Sequence, residues 1–218
     1  MDETTNKDRQ DADIWSEPKK DELRPIGFFA AVSMILIVIG IIAGAFGSIS
    51  FSVDRVDSTI QFGSGVNYFW PGIIVQQVGS VWFGAWGILA GVIFPFFSNA
   101  IAFTPISLSV AYLPANFIQS FLPAYFFRKF GLNPGLKTGS DYFSLLLSMF
   151  IGNLFGAIWS IGMLIFVFKT VPLTSAGKYF FGWYGGNMVA GMVFNFILLK
   201  ALTPVILKAN ALVRKWWS

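Results

Sequence analysis

The residues able to do chemistry in this 218-residue chain are few and unevenly placed. There is no cysteine and no histidine. That removes disulfides, thiolate or imidazole zinc sites, histidine-ligated haem and nucleophiles activated by histidine. Between Asp57 and Arg128 no side chain carries a charge, and the next carboxylate after Asp57 is Asp141. Ionisable groups inside membrane spans are the usual parts of proton relays and ion pathways, so no proton pump is expected. With no paired carboxylates, nucleophile–base set or metal cluster in the interior, we expect neither an enzyme nor a bound cofactor or metal. What remains is uncharged: Gln76, Gln77, Asn99, Asn116, Gln119, Asn153, Asn187 and Asn195, interleaved with aromatic residues. Each amide is first a candidate for a hydrogen bond between helices. Gathered with aromatic rings, such amides can also line a pocket for a small, flat, largely neutral organic molecule.

The elements that must position these groups follow from composition. Apolar residues make up 55% of the chain and charged ones 12%, the balance of an integral membrane protein. We expect an all-α integral membrane protein with six transmembrane helices and cytoplasmic N- and C-termini. The spans read as 27–49, 67–81, 84–101, 105–127, 142–168 and 179–207. The second and third join at Trp82-Phe83-Gly84-Ala85-Trp86-Gly87, a turn or kink. Residues 1–25 read as a disordered cytoplasmic arm without the apolar core of a signal peptide. Residues 26–208 form the membrane domain, and 209–218 form a basic and aromatic anchor around Arg214, Lys215, Trp216 and Trp217. Twelve of the 15 Lys and Arg residues then fall on the cytoplasmic side, leaving only Arg55, Lys169 and Lys178 outside, as the positive-inside rule requires. The expected location is the cell membrane, multi-pass, with no nucleic-acid partner.

Five prolines (Pro71, Pro95, Pro105, Pro114, Pro123) interrupt the charge-free stretch. Each removes a backbone donor from a helix, and in lipid such interruptions are tolerated around protein-lined cavities. The topology turns Tyr68, Trp70, Asn99, Tyr112, Trp159, Trp183, Tyr184 and Asn187 toward the outer face. Above them lies the long loop 50–66, carrying Asp54, Arg55 and Asp57 with Gly63 and Gly65 as flexible points. We therefore expect Asp54, Arg55 and Asp57 to act in a lid. Trp70, Trp159, Trp183 and Tyr184 would stack on a solute, and Asn99, Asn116 and Asn187 would hydrogen-bond it. Gly27 with Ala31 and Gly40 with Gly44, at four-residue spacing in the first span, could pack within the chain or dock on a partner helix.

Six spans with both ends inside, a long first external loop and two short middle helices resemble the substrate-binding S component of energy-coupling factor (ECF) transporters. The segment Val81-Trp82-Phe83-Gly84-Ala85-Trp86-Gly87-Ile88-Leu89-Ala90-Gly91 is similar to a glycine-spaced region of that family. Tyr112-Leu113-Pro114-Ala115-Asn116-Phe117, running on to Phe127-Arg128-Lys129, looks like its fourth helix. The resemblance covers roughly residues 27–207. It implies capture of a vitamin-like or aromatic micronutrient at the outer face, with the first external loop as lid. It also implies docking of the first helix on a transmembrane coupling subunit driven by ATPase subunits, since the chain carries no nucleotide-binding loop. The usual alanine motif of the family's first helix is missing: Met34 and Ile35 stand four residues on from Ala30-Ala31, so Gly27/Ala31 and Gly40/Gly44 would have to substitute. The segment 67–128 also resembles membrane-embedded sensory domains of the MASE type, and a ligand-free membrane scaffold is a third reading.

Overall fold

The computed structural model describes residues 14–16, 24–56 and 63–217. Seven α-helices occur among them: α1 (Ile26–Ser50), α2 (Gly72–Phe83), α3 (Ala85–Ile101), α4 (Ile106–Ala111), α5 (Leu113–Lys129), α6 (Gly139–Gly162) and α7 (Ala176–Lys208). A π-helical turn, Met163–Val167, extends α6, and 3-10 turns lie at Val53–Val56 and Leu173–Ser175. Among the described residues there is no strand, only an isolated bridge between Ser52 and Asn67. The chain is all-helical, with three helical stretches long and apolar enough to cross a membrane: Ile26–Ser50, Gly139–Val167 and Leu173–Lys208.

The outside of the bundle is apolar, and the inside sets fully buried amides among three hydrophobic clusters. Helix α1 exposes Met34, Ile35, Val38, Ile39, Ile42 and Phe46, whereas Gln76, Gln77, Gln119, Asn153 and Asn195 are completely buried. Water would select the reverse. A bilayer favours this arrangement, because the interior amides find partners on neighbouring helices rather than in hydrocarbon. Helix α2 lies at the centre; of its twelve residues only Ile74 is not buried. It touches α1, α3, α5 and α7.

Local chemistry explains where the observed elements depart from the expected spans. The second expected span is helical only over α2, about 18 Å long at 1.5 Å per residue. Residues Asn67 to Trp70 are non-helical and lie within the bundle, against Gly186 of α7. The fourth expected span is broken at Tyr112 into α4 and α5. Pro114 can offer no N–H to the carbonyl of Val110 and disfavours helical geometry at Leu113. Helices α2 and α3 turn about Gly84, whose φ of 57° is open to glycine but strained for other residues. Gly87 then lets α3 meet the backbone of Gly79 directly.

Both tails gather at the end of the bundle that carries Arg128. The Trp15 indole N–H donates to the Leu132 carbonyl (2.7 Å) and Arg24 donates to the Ala209 carbonyl. Residues 211–217 fold back as a strap across the α2–α3 turn. The Val213 N–H donates to the Trp82 carbonyl (2.8 Å) and the Ala85 N–H to the Trp216 carbonyl (2.7 Å). Arg128 donates to the carbonyls of Lys215 and Val213, both at 2.6 Å, and to Ala124. Its guanidinium sits between the rings of Trp15 and Trp216, at 4.9 and 5.4 Å.

Candidate functional site

At the opposite end, residues 51–56 and 63–70 pair through their own backbone as a lid. The Val53 N–H donates to the Val66 carbonyl and the Tyr68 N–H to the Phe51 carbonyl, both at 2.9 Å. Asp54 latches this ribbon to the bundle. One of its carboxylate oxygens accepts from the backbone N–H of Ser64 (2.5 Å), and the other accepts from the Tyr179 hydroxyl of α7 (2.9 Å). A second latch runs from the Tyr112 hydroxyl to the Ser64 carbonyl at 2.7 Å. Gly65, with a φ of 75°, turns the chain so that it passes over Tyr112. Glycines also let the ribbon descend: a side chain at Gly182 would strike Val53, and one at Gly186 would strike the Asn67 carbonyl.

Beneath the lid lies a cavity lined by Gly65, Asn67, Trp70, Pro95, Asn99, Tyr112, Asn116, Trp183 and Asn187. Its volume is about 20 Å³, room for about one water molecule. Trp70 is stacked on Phe94 (ring centres 5.6 Å apart), and Trp183 meets Tyr112 edge to face at 5.0 Å. Among the described residues, the walls carry four carboxamides and no carboxylate, guanidinium or ammonium group.

The amides below the cavity join the helices. Gln76 donates to the Gly91 carbonyl (3.0 Å) and to Asn116 Oδ1 (3.3 Å). The first of these bonds repairs a defect, since Pro95 has no N–H for the carbonyl four residues before it. Gln119 donates to Asn153 Oδ1 at 2.9 Å, Asn153 to the Met188 sulfur, and Asn195 to Gln77 Oε1 at 2.5 Å. Gln77, Gln119, Asn153 and Asn195 thus each take part in bonds between helices, while Gln77 Nε2, Gln119 Oε1 and Asn195 Oδ1 stay buried without a partner.

Of the residues singled out from sequence, Trp70, Asn99, Asn116, Trp183 and Asn187 come together around the cavity. Asp54 is a latch of the lid rather than a wall of the cavity. Arg55 lies in the Val53–Val56 turn of the lid, and Asp57 lies outside the described residues. Two aromatic assignments need correction. Trp159 is 39% exposed on the outside of α6, where its indole N–H donates to the Ala111 carbonyl at 2.8 Å. Tyr184 stacks on Phe180 and meets Phe150 edge-on, away from the cavity. The four small residues of α1 are also divided. Gly40 and Gly44 are buried against Phe94 and Ser98 of α3, whereas Gly27 and Ala31 are exposed on the other side of the helix. They therefore form no single docking stripe, because positions 27 and 40 lie on opposite faces at 3.6 residues per turn.

Sequence reasoning left Gly65, Asn67 and Pro95 out of the site. Pro95 carried a signal, since a proline inside a helix exposes a carbonyl that something nearby must satisfy. Asn67 carried none, because its position depends on the ribbon pairing of residues far apart in three dimensions until folded. Comparison of this chain with family models, with curated proteins and with solved structures returns no match.

Proposed function

We propose that this chain is a multi-pass protein of the cell membrane that captures a small solute at the Asp54 end, as an ECF-type S component does. In this reading the six traverses all span the bilayer, α2 with the help of the non-helical stretch before it. The Arg128 end, with both tails, faces the cytoplasm, in line with the distribution of Lys and Arg. A separate transmembrane coupling subunit and ATPases supply the energy.

The observation that carries the reading is the double latch, Asp54–Tyr179 and Tyr112–Ser64, holding a lid over a cavity walled by two tryptophans and four asparagines. At about 20 Å³ the latched cavity is far below the 300–1,000 Å³ of ordinary ligand pockets. Capture therefore requires the lid to lift and Trp70 or Trp183 to swing, and the state described is the closed, contracted one.

The test is mass spectrometry of small molecules released from the purified, detergent-solubilised protein, with identification of the proteins that travel with it. A stoichiometric organic solute, accompanied by a coupling subunit and ATPases, supports capture for uptake. Protein that yields no solute and travels with signalling or scaffold partners refutes it.

A further inference from the structure

The hydrogen bonds around the cavity fix which end of two of its four wall amides, Asn67 and Asn116, is left unengaged. Asn67 donates through Nδ2 to the carbonyl of Gly65 (3.1 Å) and to Ser48 Oγ (3.2 Å). A carbonyl can only accept, so the nitrogen of Asn67 must face Gly65. Its Oδ1 is left as a buried acceptor without a partner, on a residue that lines the cavity and is 4% exposed. The same logic runs through Gln76. Its Nε2 must face the Gly91 carbonyl, and from there it also donates to Asn116 Oδ1. The oxygen of Asn116 is thereby spent, which leaves Nδ2 as the end not engaged by Gln76. Asn187, also on the cavity wall, supplies a whole carboxamide.

We infer that the site selects an uncharged solute bearing a hydrogen-bond donor and an acceptor, such as a carboxamide, lactam or ureide. The donor goes to Asn67 Oδ1 and the acceptor to Asn116 Nδ2, with Trp70 and Trp183 against the solute's apolar faces. A carboxylate or ammonium would meet no counter-charge among the described residues of the walls, and an isolated buried charge is costly. An acidic solute would also set its oxygens against the unpaired oxygen of Asn67. The inference rests on the capture reading and adds the chemical class.

The experiment compares nicotinamide with nicotinate, a matched pair in shape that differs in charge and in donor capacity. Thermal stabilisation of the full, detergent-solubilised chain at pH 7 is measured against concentration of each, and the solute released on purification is identified in parallel. The expected result is binding of nicotinamide at least tenfold tighter than nicotinate. In Asn116→Leu, which keeps the volume but removes the inward N–H, that ratio falls toward one, and melting of the unliganded variant reports separately on its folding. Equal or preferred binding of nicotinate, or no stabilisation by nicotinamide, overturns the inference. A released solute that is stoichiometric but charged also overturns it while leaving capture intact; no released solute together with no stabilisation refutes both.

Discussion

The bond from Gln76 to the Gly91 carbonyl makes a quantitative claim that a double-mutant cycle can test. Gln76→Leu removes the hydrogen-bond donor that reaches the carbonyl freed by Pro95, and leaves that oxygen fixed in a buried backbone. A buried group left unsatisfied costs about 1–3 kcal/mol, while side-chain bonds between membrane helices average about 0.6 kcal/mol. Asn116 can turn its amide to a new partner, whereas the Gly91 carbonyl cannot move without bending α3. We therefore expect Gln76→Leu to cost about 2 kcal/mol. Pro95→Ala restores an N–H at the position that ordinarily serves Gly91. In that background the same Gln76→Leu change should cost less than about 1 kcal/mol, a coupling of at least about 1 kcal/mol. Reversible unfolding in mixed micelles with increasing sodium dodecyl sulfate, followed by tryptophan fluorescence, measures all four corners of the cycle. Costs that add within about 0.5 kcal/mol would refute the claim that Gln76 stands in for the missing proline donor.

Three further outcomes follow from features at the two ends. Tyr179→Phe removes the hydroxyl that holds Asp54; a hydrogen bond to a charged group is worth about 1.5–3 kcal/mol, so amide exchange at Ser64 and Val66 should accelerate about tenfold or more. Unchanged exchange would show that Tyr112 alone holds the lid. Gly84→Ala places a side chain 2.7 Å from the Trp216 carbonyl at a φ of 57°, and should destabilise the fold by about 1–3 kcal/mol in the same unfolding assay. Trp183→Ala should weaken solute affinity by more than about 1 kcal/mol through lost aromatic contact, read by titration calorimetry with the solute identified from the purified protein.

Much of the architecture is legible in the sequence because lipid leaves a chain few options. Long uncharged runs, the turn at Gly84 and the inward amides all follow from composition and spacing. Pairing is harder to read. Trp159 and Trp183 sit at comparable heights on neighbouring helices, yet one reaches outward to the Ala111 carbonyl and the other inward to Tyr112. The difference is rotation about the helix axis, which a nearly uniform apolar background does not mark. Gly40 and Gly44 show the same limit: four-residue spacing announces a close contact but not its owner, which here is α3 of the same chain. The pairing of 51–53 with 66–68 was legible as a loop but not as a descending structure, because its depth depends on Gly182 and Gly186, more than a hundred residues later.

The strap at the Arg128 end has a consequence for the order in which the protein is made. The α2–α3 turn emerges from the ribosome with the carbonyl of Trp82 and the N–H of Ala85 lacking their eventual partners, Val213 and Trp216. Arg128 emerges likewise without the carbonyls of Val213 and Lys215. All of these groups must be served by water or lipid headgroups while α6 and α7 are synthesised and inserted. Residues 213–216, made after α7, then supply the partners together, closing the turn, α5 and this strap in one step. Maturation of this end is thus timed by translation: a nascent chain stalled before residue 213 carries every helix yet lacks the closure that joins α2, α3 and α5.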